Sequence, residues 1–234
     1  MGDNQIYQFS LVNALMAGVS NSGISVEQLL AKGNQGIGTF AQMKGELLML
    51  DGKVYQLLDG GQTRVADNTD LIPYAVATNF VPQSTCEVSL KSKDSIYELL
   101  EEFPEYSANL FLVFRFDGHF QSLICRTVKG QEYEGQPLAD VGKNQHVQPY
   151  ESIEGTIVGF RSPEIWQGFF VAGEHMHFVS ADRREGGHVL EVSGGQGKLS
   201  IAVARDIHIE LPSSDAFNKA SLSVDDVGIK AVEG

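Results

Sequence analysis

Gly173-Glu174-His175-Met176-His177-Phe178, followed by Gly186-Gly187-His188-Val189-Leu190, is the stretch on which the reading of this chain turns. The chain has six histidines, and three of them fall here. Phe178, Val179, Val189 and Leu190 favour strands, and on a strand residues i and i+2 point to the same face. His175 and His177 therefore share a face, and Glu174 points away from it. Between them and His188, Ser180–Gly187 (SADRREGG) is polar, charged and ends in two glycines, which marks a connection between strands. If the strand opened by His188 pairs with the first, three imidazoles converge. Three nitrogen donors with an open fourth position is the layout of a catalytic zinc site. The bland alternative is a set of separately buried, hydrogen-bonded histidines. The helical His-Glu-x-x-His motif is absent. A cupin-like site would want a glutamate shortly after His177, where Asp182 stands.

The rest of the chain has to form a scaffold for this hairpin. Its 234 residues suffice for one large domain or two small ones, with a core that needs no disulfide. Cys86 and Cys125 lie in apolar or β-prone segments without a Cys-x-x-Cys, and read as buried thiols. The formal net charge of −13 argues against nucleic acid and against an anionic membrane surface. No apolar run approaches the ~20 residues that span a bilayer. The opening MGDNQIYQFS lacks the basic and apolar regions of a secretory signal, and Ile6 stands where myristoylation wants Ser or Thr. The expected compartment is the cytoplasm.

Two short helices are expected first. Ser10–Ala17 stops near Gly18, and Val26–Lys32 follows Ser25, with Gln28 in the capping-box position. Glu46–Leu50 and Lys53–Leu58 flank Asp51-Gly52, a strong hairpin signal. Ala75–Phe80 and Cys86–Leu90 read as strands. Lys93–Glu102 reads as a helix with Ile96, Leu99, Leu100 and Phe103 on one face. A second hairpin is expected from Asn109–Phe116, Asp117-Gly118 and His119–Val128. Residues 129–149 are polar and read as a connection between domains. Gly155–Phe160, Gly168–Val171, His175–Val179, His188–Val192 and Lys198–Leu211 complete the strands, a short helix follows Ser213-Ser214-Asp215, and the acidic tail Ser221–Gly234 reads as frayed.

Two residues in the first half could add chemistry. Arg126 sits among apolar neighbours in LICRTV, where a guanidinium is costly unless it is paired or binds an anion. It reads as a structural ion pair or an anion clamp. Glu46 opens a strand, and on its own reads as a solvated strand end.

Taken together, Gly38-Thr39-Phe40, Gly45-Glu46-Leu47, Asp51-Gly52, Tyr55, Arg126-Thr127-Val128, Gly155-Thr156-Ile157-Val158-Gly159-Phe160 with Pro163, His175-x-His177-Phe178 and Gly186-Gly187-His188-Val189 resemble bacterial α-acetolactate decarboxylase in order and approximate spacing over nearly the whole chain. The resemblance implies an α+β, mostly β protein. Residues 1–135 would form a mixed β-sheet domain with short helices, contributing Glu46 and Arg126, and residues 136–234 a β-barrel-like domain carrying the three-histidine site. It implies a homodimer, and zinc held by His175, His177 and His188. It also implies conversion of (S)-2-acetolactate to (R)-acetoin and carbon dioxide on the route to butanediol, with the metal stabilising the enediolate. Glu46 and Arg126 match the family's active-site pair. Glu233 is the best match to a C-terminal glutamate that reaches back to the metal, with Asp225 and Asp226 as weaker alternatives. Glu174 stands where the family more usually has an aromatic residue.

Two rival readings use the same histidines. One is another zinc-dependent lyase or hydrolase acting on a small carboxylate. The other is a non-enzymatic regulatory β-domain, since the segment from Gly155 is similar to the small domains of the plant and prokaryote conserved type. The net charge disfavours DNA as that domain's partner, and neither Glu46 nor Arg126 has a role in it.

Overall fold

The structure, a computed structural model, describes residues 2–223 together with Gly228 and Ile229. In chain order the strands are β1 (Ile6–Phe9), β2 (Ile24–Ser25), β3 (Gln35–Thr39), β4 (Glu46–Leu50), β5 (Lys53–Leu57), β6 (Thr63–Val65), β7 (Leu71–Ile72), β8 (Tyr74–Thr78), β9 (Ser84–Ser92), β10 (Phe111–Thr127), β11 (His146–Ser162), β12 (Gly173–Ser180), β13 (Gly186–Ala204) and β14 (Ile207–Glu210). The helices are α1 (Val12–Met16), α2 (Val26–Leu30), α3 (Asp94–Glu101), α4 (Leu138–Gly142) and α5 (Asp215–Lys219). The described residues are thus mostly β, as expected. Among them, no helix is long and apolar enough to cross a membrane.

A first, mixed sheet runs β14-β1-β8-β3-β4-β5-β6, antiparallel except for the β1–β14 pair. A second, antiparallel sheet runs β10-β11-β12-β13-β9, and β13 also pairs with β10. Alternation along the strands sorts side chains into layers. From β4, Leu48 and Leu50 enter a core that they share with Val113, Val158, Phe160 and Val179 of the second sheet. Leu47 and Met49 face the opposite way, into a cluster with Leu29 of α2. In the second sheet, Met176 and Phe178 join Phe114, Phe116 and Phe120 on the face away from the first sheet, where α3 contributes Ile96 and Leu100. His175 and His177 alternate with Met176 and Phe178, so their face of β12 is the one carrying Val179 into the layer between the sheets.

Several local readings hold. Asp51 and Gly52 both have positive φ (51° and 72°), the conformation that a two-residue hairpin demands. Ser25 and Gln28 make both bonds of a capping box on α2.

Others are corrected. Asp117-Gly118 is no turn: β10 runs unbroken, pairing Asp117 with Thr156 and Gly118 with Gly155. Gly118 is needed for a different reason, because a Cβ there would lie 2.3 Å from the Gln196 carbonyl oxygen and 2.9 Å from the Gly197 Cα. Gly168–Val171 is not a strand. Glu164–Trp166 forms a 3-10 turn, and a single bridge joins Gln167 to Phe170. Residues 129–149 are not a bare connection, since α4 and the start of β11 lie within them. Cys125 is buried but Cys86 is exposed. Along the chain the two sheets interleave: β9 and β10 belong to the second, and β14 returns to the first.

Candidate metal centre

The second sheet assembles the centre by register. His177 on β12 is directly opposite His188 on β13, and His188 is directly opposite Arg126 on β10. His175 lies two residues from His177 on the same face of β12. The expected hairpin is therefore present, with Gly186 and Gly187 opening β13. The glycine before His188 has a steric cause: a Cβ on Gly187 would lie 2.7 Å from the Arg126 carbonyl oxygen and 2.9 Å from the Cys125 Cβ. This close approach of β13 to β10 sets His188 beside Arg126.

The three imidazoles each offer a nitrogen within 4.8 Å of the other two. Their ring centroids lie 5.0, 5.1 and 5.4 Å apart. His175, His177 and His188 are all buried. His177 Nδ1 lies 2.7 Å from the Leu47 carbonyl oxygen. A carbonyl only accepts, so Nδ1 carries a proton, and in the neutral ring Nε2 presents its lone pair. Burial, then the positive charges of Arg126 and Lys93, hold the His175 pKa down to about 3. His188 is held well below the usual histidine range by burial first and Arg126 second. Neutral imidazoles converging in a buried layer are the donor set that a transition metal of the zinc, iron, nickel or copper kind takes, so the residues fit a metal.

The first sheet supplies the acid. Glu46, at the start of β4, is buried rather than solvated, on the Leu48 and Leu50 face that meets the second sheet. Arg126 Nη1 donates to Glu46 Oε1 at 3.3 Å, and Glu46 Oε2 lies 3.9 Å from His177 Nε2. Arg126 is 2% exposed, so both charges are held almost without water. Glu174 points away from the centre, as alternation requires, and faces Arg161 at 3.5 Å. The tail candidates Asp225, Asp226 and Glu233 lie outside the described residues.

A cavity opens beside these groups. Thr39, Glu46, Arg126 and His175 give it a polar wall, and Val12, Leu15, Met43, Leu138 and Val171 an apolar one. Sequence reasoning missed the apolar wall, because such residues on short helices and loops look like ordinary core. The only cue was the crowding of matched positions between Gly38 and Glu46, the segment that contains Met43.

A β-rich scaffold that sets a buried three-histidine cluster, able to hold a metal, against a carboxylate–guanidinium pair defines the class of this protein. A profile of the alpha-acetolactate decarboxylase family matches residues 6–224. The chain is 38% identical to the alpha-acetolactate decarboxylase of Raoultella terrigena, over 99% of this chain and 90% of that one. It is 32% identical to that of Bacillus subtilis strain 168, over 99% and 91%. The X-ray structure of the Bacillus subtilis strain 168 protein superposes with a TM-score of 0.93 at 31% identity, covering 98% of this chain and 99% of that one. The chain belongs to the alpha-acetolactate decarboxylase family and is an enzyme of the carboxy-lyase class.

Proposed function

We propose that the chain catalyses the zinc-dependent decarboxylation of (S)-2-acetolactate to (R)-acetoin and carbon dioxide. The observation that carries this reading is Arg126, buried beside His188 and held by Glu46 at the edge of the three-histidine centre. A hydrolase needs an activated water; a decarboxylase needs a carboxylate clamp, and a buried guanidinium fork is that clamp.

Acetolactate carries a carboxylate and a hydroxyl on C2 and a ketone on C3, so loss of carbon dioxide leaves an enediolate. His175, His177 and His188 would hold the metal. When bound, zinc supplies a Lewis acid that draws off the negative charge growing on the substrate oxygens. Glu46 and Arg126 cancel one another in charge, so the loaded site has a net positive charge matched to an anionic substrate. Arg126 binds the leaving carboxylate, and Glu46 fixes the orientation of its fork. When carbon dioxide departs uncharged, Glu46 keeps the guanidinium paired. A proton drawn from solvent, carried by Glu46 or by a water it holds, is then delivered to C2 from one side, which sets the chirality of acetoin and returns Glu46 to the carboxylate that pairs with Arg126. Glu233 is proposed to complete the metal's coordination. The family resemblance supports a homodimer; a cytoplasmic setting and the division into residues 1–135 and 136–234 stand as proposals.

The test is metal analysis of the purified chain combined with carbon dioxide and chiral acetoin assays on racemic 2-acetolactate. About one zinc per chain and a single acetoin enantiomer are expected. Full turnover by a chain freed of metal would overturn the zinc-dependent reading.

A further inference from the structure

We infer that Met43 sets how large an alkyl group the site accepts, and that Gln131 is the positioning residue that holds it in place. The inference rests on the reading of the substrate as 2-acetolactate. Once the polar wall has matched the carboxylate, hydroxyl and ketone, what remains of that molecule is its methyl groups, and they must meet the apolar wall.

Met43 differs from the other apolar wall residues in its backbone. Gln42 and Met43 are consecutive residues with φ of 59° and 53°, in the left-handed region that side chains larger than glycine rarely enter. Met43 is nonetheless fully buried, three residues before Glu46, and lines the cavity with Glu46, Arg126 and His175. Such a conformation persists only where the surroundings over-determine it. Here they do. Gln42 N donates to the Ser20 carbonyl oxygen at 2.7 Å, and Gln131 N donates to the Gln42 carbonyl oxygen at 2.7 Å. The Gln131 side chain then ties its own loop to the one that carries Ser20: its Oε1 accepts from Ser20 Oγ at 2.6 Å, and its Nε2 donates to the carbonyl oxygens of Gly18 at 2.9 Å and Gln136 at 2.8 Å. On the far side of the turn, Gly45 N donates to the Val128 carbonyl oxygen at 3.1 Å, and Gln56 Nε2 donates to that of Lys44 at 2.6 Å.

A methionine side chain is flexible and fills irregular gaps readily. Its position is therefore set by the backbone, and the backbone is set by the turn that Gln131 staples. A relaxed turn would let the thioether withdraw and widen the apolar wall without touching Glu46, Arg126 or the histidines.

The experiment compares kcat/KM for 2-acetolactate with that for its 2-ethyl homologue in the wild type, Met43→Ala, Met43→Leu and Gln131→Ala. One methylene in an apolar pocket is worth roughly 10- to 200-fold in discrimination. Met43→Ala should shift the ratio toward the ethyl substrate by about tenfold or more, mostly through KM. Met43→Leu, which conserves volume, should stay within about threefold of wild type. Gln131→Ala should move the ratio in the same direction as Met43→Ala but by less. The ratio does not depend on the fraction of active enzyme, so a merely destabilised variant leaves it unmoved. If Met43→Ala does not fold, Met43→Gly, whose backbone accepts this φ freely, carries the same test. An active wild type with an unmoved ratio in these variants overturns the inference alone. A wild type that releases no acetoin from 2-acetolactate overturns the substrate reading and the inference together.

Discussion

Replacing Arg126 by Met should destabilise the protein, and replacing Glu46 by Gln as well should restore part of the loss instead of adding to it. The two groups meet at 3.3 Å with side chains 2% and 10% exposed, so solvent screening is small. At an effective dielectric of about 20, unit charges at this separation attract by about 5 kcal/mol, much of which is offset by the cost of drying them. Removing only the guanidinium leaves a buried carboxylate with the desolvation penalty and without its partner. That costs about 3 kcal/mol, at the lower end of the range for broken buried pairs because 3.3 Å is long for a charge-assisted bond. For a chain of this size, the change corresponds to a fall in Tm of roughly 6–12 °C. Glu46→Gln alone should cost about 2 kcal/mol, since the amide oxygen still accepts from Arg126. In the double variant neither charge remains, and the loss should be about 2 kcal/mol rather than the sum of about 5 kcal/mol. Urea unfolding of the four proteins, in excess zinc and again after chelation, measures this coupling. Additivity within about 0.5 kcal/mol would refute the buried pair as an energetic unit. Activity separates the fold from the chemistry, because the double variant should regain stability and stay inactive.

Four further outcomes are expected. Chelation should abolish acetoin release, zinc should restore it, and zinc at 100 times its Kd should raise stability by about 2.7 kcal/mol; a Tm indifferent to zinc would count against the metal reading. His188→Ala should lower the zinc content and abolish turnover together, and normal turnover with an empty site would show that the chemistry lies elsewhere. Gly118→Ala should cost about 3 kcal/mol in urea unfolding, because its Cβ would meet the Gln196 carbonyl at 2.3 Å; an unchanged midpoint would mean that β13 can move aside. Burial holds the Cys125 thiol above its usual range, so its contribution is complete below about pH 8.5 and is lost as the unfolded chain ionises above it, by up to about 1.4 kcal/mol per pH unit. Cys125→Ala should flatten that alkaline slope, and equal slopes would remove the thiol from the account.

What could be read from the residues is what depends on short range. The spacing of His175, His177 and His188 needed only strand alternation and one connection, and the structure pairs them in that way. Ser25 and Gln28 likewise satisfy each other within one turn. The misreadings share a cause. Asp117-Gly118 has the composition of a turn, but the glycine is required by strands that arrive from residues near 155 and 197. Glu46 looked solvated because nothing within its own segment neutralises it; its partner is 80 positions away. Cys86 sits in a β-prone segment, yet β9 is an outer strand of its sheet, and the thiol is exposed there. Local pattern states which faces are apolar. It does not state which other strand will cover them.

The centre depends on both sheets in a stricter sense than proximity. Residues 46 and 47 of β4 act on it in two different ways. The Glu46 side chain holds Arg126, while the carbonyl of Leu47, whose own side chain turns toward α2, accepts from His177 Nδ1. That one bond decides the tautomer, and with it which nitrogen of His177 can serve as a ligand. A slip of β4 by a single residue would reverse both: the carboxylate would leave the layer, and the carbonyl that orients His177 would be replaced by another. The second sheet thus brings three imidazoles together, but the first orients the ring of His177 and supplies the acid beside them. The functional unit is the contact between the sheets. A chain without β4 would retain His175, His177 and His188 in sequence and lose both the Glu46 side chain and the Leu47 carbonyl.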